Sequence, residues 1–206
     1  MIEIPKMTSG LAHHAAVRKI EAFRSQDLAL HETNVGRVCG ILCEALGIDG
    51  PFTVTMKLAA ELHDIGKLAI SDALLNKPAK LTRDEMAVMS THPQIGCEIL
   101  SAFGDPVFDL AASVALSHHE CYDGSGYPQG LKGEVIPLAS RIVALCDVYD
   151  ALRAHRAYRP AMTHRDALTV ITAKDGRASC VKFDPMVLNV FRNRSDDVAR
   201  VFDRTS

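Results

Sequence analysis

Leu138-Ala139-Ser140-Arg141-Ile142-Val143-Ala144-Leu145-Cys146-Asp147-Val148-Tyr149-Asp150-Ala151-Leu152 reads as the longest apolar helix in the chain. Two carboxylates, Asp147 and Asp150, interrupt it. A carboxylate in such a run is rarely buried without a partner. A metal ion is the obvious partner for one of them. This stretch therefore bears on both the fold class and the chemistry.

Outward from it the periodicity is helical almost throughout. Val35, Val38, Cys39, Leu42, Ala45 and Leu46 recur at three- and four-residue steps, and Gly47-Ile48-Asp49-Gly50-Pro51 ends that helix. A helix is expected from about Val54 to Ile65, then a loop at Lys77-Pro78-Ala79-Lys80-Leu81-Thr82. Thr82 with Glu85 makes a capping box for the next helix. Further helices are expected over 85–89, 92–103 with a break near Pro93, 107–119, 165–173 and 185–191. Asp72 reads as the start of a turn or short helix, and 121–137 as a loop rich in Gly and Pro. No convincing alternating strand is present. The pattern predicts an all-α, single helical bundle domain. Residues 1–25 form an N-terminal helical extension capped at Thr8 or Ser9, 26–192 the catalytic domain, and 193–206 a charged, fraying tail.

The bulk composition is that of an ordinary globular domain: 206 residues, 48% hydrophobic and 23% charged. A formal net charge of −2 argues against a broad surface for polymeric nucleic acid or acidic membrane. No apolar run approaches the ~20 residues of a membrane span, and the start lacks a signal-peptide pattern, so a cytoplasmic location is expected. Of the six cysteines no two form a CxxC pair, which points to reduced, buried thiols.

The histidines are the unusual feature. His63-Asp64 stands near the end of the expected Val54–Ile65 helix, where adjacent residues point about 100° apart. Such a pair can meet two neighbouring metals or grip one from two sides. An Asp has two oxygens and can bridge; a neutral imidazole binds one ion. His118-His119 follows the apolar stripe Ala111-Val114-Ala115, where two adjacent imidazoles need partners. His92 precedes Pro93. His13, His14, His155 and His164 read as surface residues.

His63-Asp64-Ile65-Gly66-Lys67, followed by His118-His119-Glu120-Cys121-Tyr122-Asp123-Gly124-Ser125-Gly126-Tyr127-Pro128, resembles the HD-GYP domain. That family is the subset of HD-type metal-dependent phosphohydrolases associated with cyclic di-GMP hydrolysis. Asp147-Val148-Tyr149-Asp150-Ala151-Leu152 and Phe183-Asp184-Pro185 are similar to it as well. The likeness covers roughly residues 27 to 191.

The resemblance implies roles. His31, His63, Asp64 and Asp147 match the ligands of one metal. Asp64, His92, His118 and His119 match those of the other, with Asp64 bridging. Some members hold a third metal through a Glu where this chain has Asp27, whose reach is one methylene shorter. Mixed imidazole and carboxylate ligands suit transition metals, and the resemblance favours iron or manganese. Asp64 and Lys67 are the implied catalytic residues, with Lys67 on a phosphate and in contact with Asp150. Tyr127, Asp150, Arg156 and Arg159 are the implied substrate contacts, although His155 and Ala157 depart from the family's usual Asp and Pro. The loop through Tyr127 is linked in the family to binding GGDEF-type proteins, while Asp123 reads as fixing the loop itself.

The implied reaction opens cyclic di-GMP to pGpG and onward to GMP. Two other readings stand beside it. One is a non-catalytic module that binds a cyclic dinucleotide or a GGDEF protein. The other is an HD phosphohydrolase for another cyclic dinucleotide.

Overall fold

The computed structural model describes residues 5–24, 26–48, 50–155, 160–174 and 180–203. Among them are eleven α-helices and no strand. They are α1 (Pro5–Arg24), α2 (Gln26–Ala45), α3 (Pro51–Ala60), α4 (Asp72–Leu75), α5 (Arg83–Met89), α6 (His92–Ser101), α7 (Pro106–Ser117), α8 (Leu138–Arg153), α9 (His164–Thr172), α10 (Pro185–Asn193) and α11 (Ser195–Asp203). The all-α expectation holds. No helix is long and apolar enough to cross a membrane.

The ends of the helices follow local chemistry. Proline stands in the first turn of α3, α6, α7 and α10, where its missing N–H would be unpaired anyway. Asp105 caps α7 through Val107 N at 2.9 Å, and Asp184 caps α10 through Met186 N at 2.7 Å. The Thr82–Glu85 capping box forms at α5. The break expected near Pro93 falls between α5 and α6.

α2 runs through the centre of the bundle, packed by α3, α8, α1, α10 and α11. Its Val35, Val38, Cys39, Leu42 and Cys43 are wholly buried. Phe108, Ala111, Val114 and Ala115 of α7 and Ile142, Val143, Leu145 and Tyr149 of α8 complete the core. Each large side chain buried this way stabilises the fold by about 1.5–3 kcal/mol. The Tyr149 hydroxyl, deep in that core, donates to His164 Nδ1 at 2.8 Å and accepts from Arg153 at 2.9 Å. Cys39, Cys43, Cys97, Cys121 and Cys146 are free thiols.

Four expectations change. α3 stops at Ala60, so His63 and Asp64 lie in a tight turn, not in a helix. Three-residue hydrogen bonds carry the chain from there into a 3₁₀ turn over Ile65–Ala69, among them Lys67 N to Asp64 O at 2.8 Å. The described part of the charged tail is helical: α11 buries Val198 and half-buries Val201 and Phe202 against the bundle. Those three recur at helical spacing under a run dominated by charge. Pro5 starts α1 ahead of Thr8 and Ser9, and the helix packs on α2. His14 is buried, its Nε2 3.2 Å from Glu61, because α1 lies with that face inward.

Gly66 explains why the turn carrying His63 and Asp64 sits where it does. A methyl group on it would overlap the His92 carbonyl oxygen and come within 2.7 Å of Gly96 N. Backbone therefore packs on backbone between this turn and α6. Gly66→Ala is expected to destabilise the protein by about 1–3 kcal/mol as an overpacked site. Thermal unfolding followed by circular dichroism measures it; an unchanged midpoint would show that the turn can move off α6 freely.

Candidate metal centre

The polar side chains of the centre come from five separate places in the chain. α2 supplies His31, the turn after α3 supplies His63 and Asp64, the first turn of α6 supplies His92, the end of α7 supplies His118 and His119, and α8 supplies Asp147. The chain brings them together in two groups. Asp64, His92, His118 and His119 form one, and His31, His63 and Asp147 the other; within each, one donor atom per residue lies within 4.8 Å of all the rest.

Asp64 faces both groups. Its Oδ1 lies 3.2 Å from His92 Nε2 and 3.6 Å from His118 Nε2. Its Oδ2 lies 3.4 Å from His63 Nε2 and 3.7 Å from His31 Nε2. Asp147 Oδ1 closes the second group at 3.3 Å from His31 Nε2 and 3.9 Å from His63 Nε2.

The backs of four of the five rings are already engaged. Nδ1 of His63 donates to Ala60 O at 2.8 Å, Nδ1 of His92 to Met89 O at 2.8 Å, and Nδ1 of His118 to Ala115 O at 2.9 Å. Those bonds fix the tautomer and turn each Nε2 lone pair inward. His31 differs: its Nδ1 meets the carboxylate of Asp150 at 2.6 Å. His63 Nε2 and Asp64 Oδ1 are buried yet have no hydrogen-bond partner. Buried polar atoms without partners are costly. Converging nitrogen and oxygen donors that lack protons of their own fit divalent metal ions.

Burial and neighbours set the charges. Burial pushes His63 down to about 3 and holds His119 well below its ordinary value. Burial would raise Asp64, but Lys67 and His63 hold it well below the carboxylate range. Burial would likewise raise Asp147, but its bond to His31 lowers it. Burial works to lower His31, yet Asp147 and Asp150 outweigh it and bring that imidazole up to about 10. The carboxylates are thus ionised and two of the imidazoles neutral, as ligation requires.

The glycine-rich loop is built against the same place. The buried carboxylate of Glu120 accepts from Gln129 N at 2.7 Å and Leu131 N at 3.0 Å. Asp123 accepts from Ser125 N at 2.9 Å, the structural role expected for it. A side chain on Gly126 would lie 2.5 Å from His119 O. Tyr127 consequently lays its ring on His119, centroids 4.8 Å apart. Tyr122 N donates to Lys182 O at 2.8 Å, and Asp184 pairs with Arg141, whose Nε donates to Ile136 O at 2.9 Å.

The sequence-predicted residues fall out as follows. His31, His63, Asp64, His92, His118, His119 and Asp147 come together. Lys67 pairs with Asp64. Asp150 is 2% exposed and bonded to His31, so it stands behind a candidate ligand instead of at an open substrate surface. Arg156, Arg159 and the Asp27 side chain lie outside the described residues. Sequence reading missed Glu120, Arg141 and the Arg18 network, in which Arg18 pairs with the wholly buried Glu32 and donates to Ala29 O at 2.7 Å. Their partners lie beyond the three- and four-residue spacing of a helix, so no helical pattern marked them.

The family described as HD domain matches residues 15–187. The cyclic di-GMP phosphodiesterase response regulator RpfG of Xanthomonas campestris is 49% identical over 73% of this chain and 39% of its own length. A cyclic di-GMP phosphodiesterase of Thermotoga maritima is 36% identical over 90% of this chain and 49% of its own. The 3'3'-cGAMP-specific phosphodiesterase 2 of Vibrio cholerae is 34% identical over 96% and 37%. The chain thus spans half or less of the length of these relatives. Among solved structures, an HDG"Y"P protein from Bdellovibrio bacteriovorus shares the fold, with a TM-score of 0.63 at 19% identity over 92% of this chain and 62% of that one.

Metal uptake by the metal-free chain should depend on pH through His31. Its imidazole keeps its proton up to about 10, so an entering cation displaces that proton. A group held protonated competes best at low pH, so Mn²⁺ affinity is expected to rise with pH by about tenfold per unit between about pH 6 and 8. Calorimetry in buffers of differing ionisation enthalpy measures both the slope and the released proton. A flat profile would mean that His31 enters the site already neutral.

Proposed function

This chain belongs to the HD domain family and carries its HD-GYP motifs, and on that premise we propose that it is a metal-dependent phosphodiesterase acting on cyclic di-GMP. The observation that carries the reading is the Asp64 carboxylate, one oxygen turned to each donor group. Such a carboxylate would help to hold two transition-metal ions, a class that the donor type suits and that the family resemblance narrows to iron or manganese. When bound, such a pair activates a water at neutral pH and offsets charge on a phosphodiester in in-line displacement.

The chain's own groups do the rest. His31, His63 and Asp147 hold one position, and His92, His118 and His119 the other. Lys67, half-exposed at the rim beside Asp64, is the group that holds a phosphate oxygen. Tyr127, stacked on His119, is the nearest aromatic surface for a guanine. Arg156 and Arg159 complete the substrate contacts, since Arg pairs bidentately with either phosphate or guanine. The product is pGpG, with GMP as the further product. A third ion would draw on Asp27. The loop through Tyr127 is the surface for a GGDEF-type partner, and the cytoplasm, where cyclic dinucleotides are made and read, is the location.

The relatives named for 3'3'-cGAMP give a second reading, in which that dinucleotide is the preferred substrate. One assay separates the two. Mn²⁺-loaded chain is incubated with cyclic di-GMP and with 3'3'-cGAMP, and products are separated by chromatography. Faster opening of cyclic di-GMP is expected. Asp64→Asn should fall to background, and Lys67→Met should lose about 10²–10³ in turnover, as for removal of one charge-stabilising donor. Metal-loaded chain that leaves both dinucleotides intact would overturn the proposal.

A further inference from the structure

We infer that Asp150 is a positioning residue that makes the two donor groups unequal, so that the group with His31 takes up its metal first. The inference rests on the metal-centre reading above and concerns the order of loading, not the substrate.

Three observations carry it. The first is the partner behind each ring. His63, His92 and His118 each give their Nδ1 proton to a backbone carbonyl, whereas His31 gives its own to the Asp150 carboxylate at 2.6 Å. A carboxylate behind an imidazole holds the tautomer and raises the basicity of the nitrogen that faces the metal more than a neutral carbonyl does.

The second is charge. Asp64 is shared, one oxygen to each side. Beyond it, the group of His92, His118 and His119 has no carboxylate of its own among the described residues. The group of His31 and His63 has Asp147 within 3.3 Å of His31 and Asp150 behind it. Lys67 sits on the Asp64 oxygen of this same side and works against cation entry there. Once the entering ion has displaced the His31 proton, two carboxylates against one ammonium leave this side one negative charge ahead.

The third is rigidity. Asp147 and Asp150 are one turn apart on α8, so both can reach the same side chain on α2. α8 and α2 pack directly on one another. Asp150 is buried, between Tyr149 and Leu152 of the core. Its carboxylate therefore holds its place whether or not a ligand is bound. Its placement leaves it no open face for a substrate, which removes the simpler account of an Asp at this position.

The test is a titration of the metal-free chain with Mn²⁺, read by calorimetry and by electron paramagnetic resonance, without substrate. The unmutated chain is expected to bind in two separated steps, an isolated Mn²⁺ signal at one equivalent giving way to a coupled pair at two. Asp150→Asn, which keeps shape and removes charge, is expected to weaken the tighter step about 10–100-fold and draw the two together. In a His31→Ala background the same change should add nothing, because Asp150 acts through His31. Asp150→Asn that leaves the tighter step unmoved, or weakens it equally without His31, overturns the inference and leaves Asp150 a pin between helices. Failure of the unmutated chain itself to bind Mn²⁺ overturns the metal-centre reading as well. A measurement free of substitutions runs beside it: nitrogen-15 spectra of the Zn²⁺-loaded chain should place the metal on His31 Nε2 with Nδ1 protonated. Metal on Nδ1 would overturn the inference.

Discussion

The carboxylate of Asp64 is the group on which the rest of the structure depends. It is 1% exposed, one oxygen toward His92 and His118 and the other toward His63 and His31. A charge so far from water is strongly unfavourable unless it is paired. The architecture meets that requirement by ending or passing elements at one point. α3 and α7 finish there, α6 begins there, and α2 and α8 flank it. The all-helical bundle is the scaffold that lets side chains from such distant positions converge within hydrogen-bond reach.

Convergence alone would give a disordered cluster of polar groups. Order comes from the atoms behind them. Three imidazoles are held by carbonyls of their own preceding turn, the positions that helix ends leave unpaired. The ends of α3, α5 and α7 thus serve twice, finishing a helix and aiming a ring. The Arg18–Glu32 pair and the His14–Glu61 contact bring α1 against the same region from behind, so the first helix is part of the support. On the other side Glu120, Asp184 and Arg141 fix the glycine-rich loop and hold Tyr127 over His119.

The helical class was legible in apolar residues at three- and four-residue steps, and His63-Asp64, His118-His119 and Asp147 as polar breaks in apolar runs that need partners, while His31 and His92 were implied as ligands by the resemblance to the HD-GYP family. Glycine at position 66 was visible too, but its reason was not, because the carbonyl it touches belongs to His92. The ordered α11 was hidden by composition: Val198, Val201 and Phe202 make a helical stripe beneath a charged run.

The sequence by itself determined the helical class and which residue types were on offer as ligands, since residue type and local spacing are properties of the chain alone. Only the tertiary structure decided how they are paired. Asp150 and Lys67 both read as groups facing a substrate; packing of α8 on α2 puts one behind His31, and the tight turn at 63–69 puts the other on Asp64. Which of several nearby carboxylates meets which cation depends on distances of a few ångström between elements that are far apart in sequence, and those distances exist only once the bundle has closed around the Asp64 carboxylate.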